Sequence, residues 1–401
     1  MEVALDVVLV AAGALLIVVT LTSVIRTTIL PRGVSSPIAR DVLFALRVLF
    51  RLRIGRSPTF EKRDRVMAMF GPVFLLSLLL TWLVLLLIAY TAIYYGLGVH
   101  PLRSAFELSG SAIFTLGTAS TAKFGPNIVT YSEAGLGLLL LTLLITYLPT
   151  IYTAFSRREV AVTQLEVRAG TPPSAVALLI RYHRIEKLEQ LDELWQQWEA
   201  WFADIEETHI SFPALAFFRS PDPEHSWVTA AGAILDAASL WVSTIEHPND
   251  PDAQLFIRSG YVALNRIGAF FRVGYVSDPA PDDPITISRA EYDDACRSLA
   301  EAGLPLRDDL DATWQSFSGW RVNYDTVLLN LARLTEAPIA PWTSDRSPVS
   351  EQLTWRLRSL APGSRFVERP RGPWFARWRS RGRAGKATLP PPGEPPPASA
   401  S

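Results

Sequence analysis

Few side chains in this sequence stand where they could make or break bonds. His183, His209, His225 and His247 lack the H-x-x-H or H-E-x-x-H spacing that would put two ring nitrogens on one metal ion. His209 and His225 flank one loop and read as a surface pair. Asp308, Asp309 and Asp311 read as the acidic first turn of a helix, where the backbone dipole favours negative charge; the wider ligand spacing of a calcium loop is missing. Cys296, the single cysteine, excludes a disulfide framework and reads as a small mid-helix filler. No Gly-rich phosphate loop follows a strand pattern, so no nucleotide or other cofactor is expected, and no residue constellation supports an enzyme. The stretch that could act on a ligand carries no ionisable group. It is Thr115, Leu116, Gly117, Thr118 and Ala119, placed after a short helical run from Leu102 to Phe114. The C-terminal end of a helix carries partial negative charge, so that end favours a cation.

The elements that would position this stretch are apolar. The chain has 401 residues, 49% hydrophobic and only 19% charged, against roughly 25% charge in an average soluble domain. The excess lies in residues 3–25, 66–98 and 134–155. Each reaches the length of about 20 residues that crosses a hydrocarbon core. The first run starts acidic (Glu2, Asp6), lacks an A-x-A end and has its basic flank after it, so it reads as an uncleaved anchor. Basic residues crowd 26–65, from Arg26 to Arg65, whereas 99–133 holds only Arg103 and Lys123, and Arg157 and Arg158 follow the third run. By the positive-inside rule the N-terminus and 99–133 lie outside, while 26–65 and the chain after 156 are cytoplasmic, in a multi-pass protein of the cell membrane. Residues 101–133 are too apolar for an ordinary loop, and the helical run within them is too short to span. Two readings stand: a capping loop, or a half-helix that enters the membrane and turns back, with irregular backbone lining a cavity.

The order of outer span, short helix, Thr-x-Gly strand and inner span resembles the pore domain of the potassium-channel superfamily over residues 66–155. The family signature Thr-Val-Gly-Tyr-Gly falls on Thr115 to Ala119: Thr115 and Gly117 agree, Leu116 replaces valine, Thr118 the aromatic and Ala119 the second glycine. The resemblance implies a homotetramer. Its selectivity filter would be built from the carbonyls of Thr115, Leu116, Gly117 and Thr118, with Ala119 at the outer end, replacing the hydration shell of a monovalent cation, K⁺ foremost. It also implies a gating bend in the inner span at Gly135, Gly137 or Pro149; read alone, the two glycines equally fit close helix packing. Thr118 and Ala119 alter the filter wall and so bear on selectivity, since a Cβ disfavours left-handed backbone. No span carries arginine at every third position, as a voltage sensor would.

Residues 39–56 read as an interfacial helix on anionic lipid. Residues 156–360 hold thirty acidic and eighteen basic residues, which excludes a nucleic-acid partner. There Ser174 should cap a long helix reaching about His209, whose Trp195, Trp198 and Trp201 stripe suits a core or subunit interface. Helices should follow at about 227–246, 251–274, 288–303, 308–336 and 347–360. Residues 361–401, basic and Pro-rich with Trp374 and Trp378, should be a disordered tail, suited to anionic headgroups or to plain solubilisation. The expected organisation is an anchor (1–30), a basic linker (31–65), a pore domain (66–155), a helical cytoplasmic domain (156–360) and a tail (361–401). The expected fold is an all-α membrane protein with three transmembrane helices, a re-entrant pore helix and filter loop, and that helical domain. The expected function is a cation channel gated or assembled by it; the alternative is a non-conducting receptor or scaffold that keeps a pore-like fold.

Overall fold

The apolar runs become helices because hydrocarbon-soluble backbone must satisfy its own hydrogen bonds. The computed structural model describes residues 2–28, 30, 36–54 and 60–346, and among these every named element is helical. In chain order they are α1 (Glu2–Thr28), α2 (Pro37–Ile54), α3 (Phe60–Ala68), α4 (Phe70–Gly96), α5 (Leu102–Ile113), α6 (Phe124–Ala169), α7 (Ala175–Arg184), α8 (Leu191–Ser211), α9 (Trp227–Thr244), α10 (Pro251–Phe270), α11 (Arg289–Glu301), α12 (Leu310–Arg321) and α13 (Asp325–Thr335). Short 3₁₀ turns stand at Leu188–Gln190 and Pro213–Phe217. Among the described residues three stretches are long and apolar enough to cross a membrane: Val3–Thr28, Arg63–Gly96 and Phe124–Ala169.

Several boundaries differ from the sequence expectation. α6 starts ten residues before the apolar run, with Pro126 in its first turn, where a missing N–H leaves no ladder bond unmade. It also runs on past Arg157 and Arg158, because Val162, Leu165 and Ala169 keep a buried helical stripe. The single helix expected from 174 to 209 is interrupted: Glu186 adopts positive φ (58°), and the Lys187 N–H returns to the Tyr182 carbonyl to close α7. The helix expected over 308–336 is two, because Asn323 Nδ2 donates to the carbonyls of Gly319 and Trp320 and ends α12. Ser174 caps α7 as expected, and Asp309 caps α12 by accepting from the Asp311 and Ala312 N–H groups. The helix expected at 347–360 and the tail at 361–401 lie outside the described residues.

Two hydrophobic cores result. The first gathers Phe74, Leu78, Trp82, Leu86, Tyr90 and Tyr94 of α4 against α1, α5 and α6. The second is formed by α7 to α13 around Trp195, Phe202, Phe256, Tyr292 and Phe317. Trp195, Trp198 and Trp201 are all buried there, as is Cys296. One charged network staples the second core: Arg321 donates to both Asp236 oxygens (2.6 and 2.7 Å), to Asp325 (2.8 Å) and to the Trp342 carbonyl (2.7 Å). The two carboxylates hold Arg321 firmly protonated in spite of its burial.

Candidate functional site

The site begins with how α5 lies between its neighbours. Its buried residues include Ala105, Ser109, Ser111 and Ala112, small side chains that let backbones approach closely. Ser109 Oγ donates to the Leu87 carbonyl (3.2 Å), about 14 Å back from the α4 terminus at Gly96 given 1.5 Å rise per residue. At the other end, Ile113 meets Gly137, roughly 20 Å along α6 from Phe124 by the same rise. A Cβ on Gly137 would stand 2.2 Å from the Ile113 carbonyl oxygen, so glycine permits this close approach. α5 therefore runs back alongside α4, and its C-terminal end lies about 20 Å in from the start of α6. The chain then returns, and Lys123 Nζ donates to the Gly98 carbonyl (2.8 Å), bringing the two ends of the excursion together.

A buried polar knot holds α5 in place. Glu133 of α6, fully buried, accepts from Ser109 Oγ (2.5 Å) and from Tyr94 OH (2.8 Å), and Tyr94 OH also reaches Thr130 Oγ1 (3.1 Å). An ionisable group among leucines must be hydrogen-bonded to be tolerated, and here each partner comes from a different helix.

The returning loop carries all five residues singled out in the sequence. Ser111 Oγ accepts from the Ala119 N–H (3.0 Å) and lies 3.3 Å from the Ala119 carbonyl, clipping the loop to α5. Thr115 and Gly117 both have positive φ (52° and 68°), with Leu116 between them. For a β-branched residue such as Thr115 this is an unusual conformation, held by the Thr115 and Leu116 N–H bonds to the carbonyls of Ala112 and Ser111. Among the described residues no hydrogen bond ends on the carbonyls of Thr115, Leu116, Gly117 or Thr118. The segment is exposed in the single chain, and open space surrounds Gly117.

The remaining candidates are distributed along α6. Gly135 faces open space, Gly137 packs on Ile113, and Pro149 sits inside an unbroken helix. Ser109, Ser111, Tyr94 and Glu133 escaped the sequence reading; the available signal was a lone carboxylate directly before the third apolar run.

Below the bundle, arginines tie α6 and α2 to the second core. Arg158 of α6 is buried and donates to the carbonyls of Leu215 (2.9 Å) and Phe218 (2.7 Å) and to Glu159 (2.7 Å). Its Nη1 lies 3.3 Å from His209 Nε2, while His209 Nδ1 lies 2.8 Å from the Ile205 carbonyl. Burial first, and then Arg158, hold the His209 pKa well below its ordinary value, so the ring is neutral and its Nε2 accepts. This corrects the expected surface pair: His209 is a core residue, and His225 pairs instead with Glu166 (2.5 Å). Arg219 pairs with Asp64 of α3 and donates to the Thr335 and Glu336 carbonyls (2.7 Å each) at the end of α13. Arg47 of α2 donates to the Leu334 carbonyl (2.6 Å), and burial lowers its pKa to about 10.

Among the described residues no three His, Cys, Asp or Glu side chains are grouped so as to hold a metal ion. Compared with family models, with curated proteins and with solved structures, the chain matches none.

Proposed function

We propose that the chain is one subunit of a homotetrameric, potassium-channel-like cation channel of the cell membrane. The observation that carries this reading is the excursion between α4 and α6. A short helix runs back beside α4 to end about 20 Å in from the start of α6, and the chain returns as a loop with four uncommitted carbonyls. Irregular backbone at that depth is tolerated only where it is buried in protein or lines water. One loop offers one side of an ion's coordination shell, so four copies about an axis would complete it. The C-terminal end of α5 adds partial negative charge beside the loop.

The bareness of α6 supports assembly. Phe124, Ile128, Tyr131, Leu138, Ile145 and Tyr152 recur at helical spacing and are all exposed in the single chain. Such a stripe suits neighbouring copies and lipid. In this reading α1 begins outside, and α7 to α13 lie in the cytoplasm, as the basic flanks direct. Because α6 continues unbroken into the second core, where Arg158 fixes it, movement of the helical region would be carried into the pore-facing helix. Pro149 would be the point of bending.

The test is Rb⁺ uptake by liposomes holding the purified full chain. The reading predicts uptake that Gly117→Arg abolishes while the tetramer survives in detergent. Intact tetramers that pass no Rb⁺ under any condition would assign the bundle to a non-conducting scaffold.

A further inference from the structure

Where the two cores meet, an apolar cleft opens between α1, α2, α4 and α6. It is walled by Leu78, Trp82, Leu143, Tyr147, Ala214 and Phe270, holds a cavity of about 130 Å³ and opens at its mouth. A narrow slot lined by leucines and aromatic rings suits a thin apolar chain more than a compact polar molecule. Its mouth carries Arg26 at the end of α1, Arg40 of α2 and Arg272 just after α10, all exposed, and among the described residues no carboxylate lines it. Among the described residues the Arg26 and Arg272 side chains have no hydrogen bond or ion pair. Arg40 has only a loose contact with exposed Asp41, at 3.7 Å. Cationic side chains gathered without anions around a greasy slot leave a charge that the protein itself does not balance.

The position matches an amphipathic ligand. The mouth lies at the ends of two membrane-length helices, on the side where α7 to α13 sit. Beside it, α2 turns Phe44, Val48, Leu49 and Leu52 outward, all exposed, as a helix lying against lipid does. We infer that this cleft is a binding site for one anionic glycerophospholipid, with its phosphate among Arg26, Arg40 and Arg272 and an acyl chain along Leu78, Leu143 and Tyr147. Such a lipid would bridge α1, α2 and α6 to the Ala214 and Phe270 segments, joining the bundle to the helical region.

The inference is independent of conduction, and its test reads lipid retention. The full chain in detergent is loaded with phosphatidylglycerol or phosphatidylcholine, and bound lipid is counted by native mass spectrometry. Phosphatidylglycerol should be retained preferentially. Arg26→Gln and Arg272→Gln should each weaken it about fivefold, the equivalent of roughly 1 kcal/mol per basic residue near a charged surface. Leu144→Trp, which fills the slot, should reduce retention of both lipids, and inorganic phosphate should not displace phosphatidylglycerol. Equal retention of the two lipids would overturn the inference. So would an unchanged preference in the Arg26→Gln/Arg272→Gln double variant, which alters only exposed side chains and stays informative if Leu144→Trp does not fold. Displacement by inorganic phosphate alone would reduce the site to an anion contact and overturn the acyl-chain half.

Discussion

α6 and α9 are both rich in apolar residues, yet they live differently. Every residue of α9 except Val242 is buried, wrapped by α7, α10, α12 and α13. In α6 only 17% of the most apolar window is buried, and the exposed residues form a continuous stripe. Composition alone does not separate a core helix from a membrane helix; what covers it does. The same contrast governs their buried charges. Asp236 of α9 meets Arg321 inside a closed core and serves architecture. Glu133 of α6 meets hydroxyls at the edge of an open loop and holds that loop's supporting helix.

The largest effect should come from α9. Asp236→Ala leaves Arg321 short of its main partner, and breaking a buried pair costs about 3–5 kcal/mol. Urea unfolding followed by tryptophan fluorescence should show the helical region losing that much, with Asp236→Asn losing less. A loss under 1 kcal/mol would mean that the network is not structural.

Next comes α6. Glu133→Leu removes the acceptor shared by the Ser109 and Tyr94 hydroxyls and leaves them only their longer bonds to the Leu87 carbonyl and Thr130 Oγ1, at a cost of roughly 1–3 kcal/mol. It should free α5 and abolish Rb⁺ uptake, whereas Glu133→Gln, which still accepts, should retain part of both. A third comparison stays within α6. Gly137→Ala drives a Cβ into the Ile113 carbonyl and should cost about 1–3 kcal/mol, whereas Gly135→Ala meets open space in the single chain. Equal effects on folding would contradict the packing of α5 on α6.

Two pH effects are smaller. His209 is held neutral, so the unfolded chain takes up a proton first as pH falls below its ordinary value of 6.5. Stability should then fall by up to about 1.4 kcal/mol per pH unit below 6.5, and His209→Gln should flatten that slope. Glu291 runs to lower pH. Its hydrogen bond with Arg346 depresses its pKa to about 2, so its contribution is full above 4.5 and lost as pH falls from there towards 2. The Glu291 side chain is 40% exposed, so screening keeps the effect below about 1 kcal/mol, shrinking in salt. Arg346→Gln should remove it.

How far the sequence reveals all this depends on whether the signal is local. The apolar runs, the helix over 102–113, the Ser174 cap and the acidic turn at Asp308, Asp309 and Asp311 rest on composition and short spacings, and they stand in the structure, although α6 outruns its apolar stretch by ten residues or more at each end. The breaks at Glu186 and Asn323 were invisible because neither carries glycine or proline; each depends on closing hydrogen bonds. The Glu133 knot and the burial of His209 join residues 24 to 51 positions apart, which no periodicity reports.

The most direct test of the central claim is Rb⁺ uptake by liposomes holding Thr118→Cys, before and after a charged thiol reagent. The single native cysteine, Cys296, is buried and leaves little background. If residues 115–118 line the conducting path, labelling should block uptake that the unlabelled variant supports. Full labelling with uptake unchanged would place the cation route elsewhere and contradict the account.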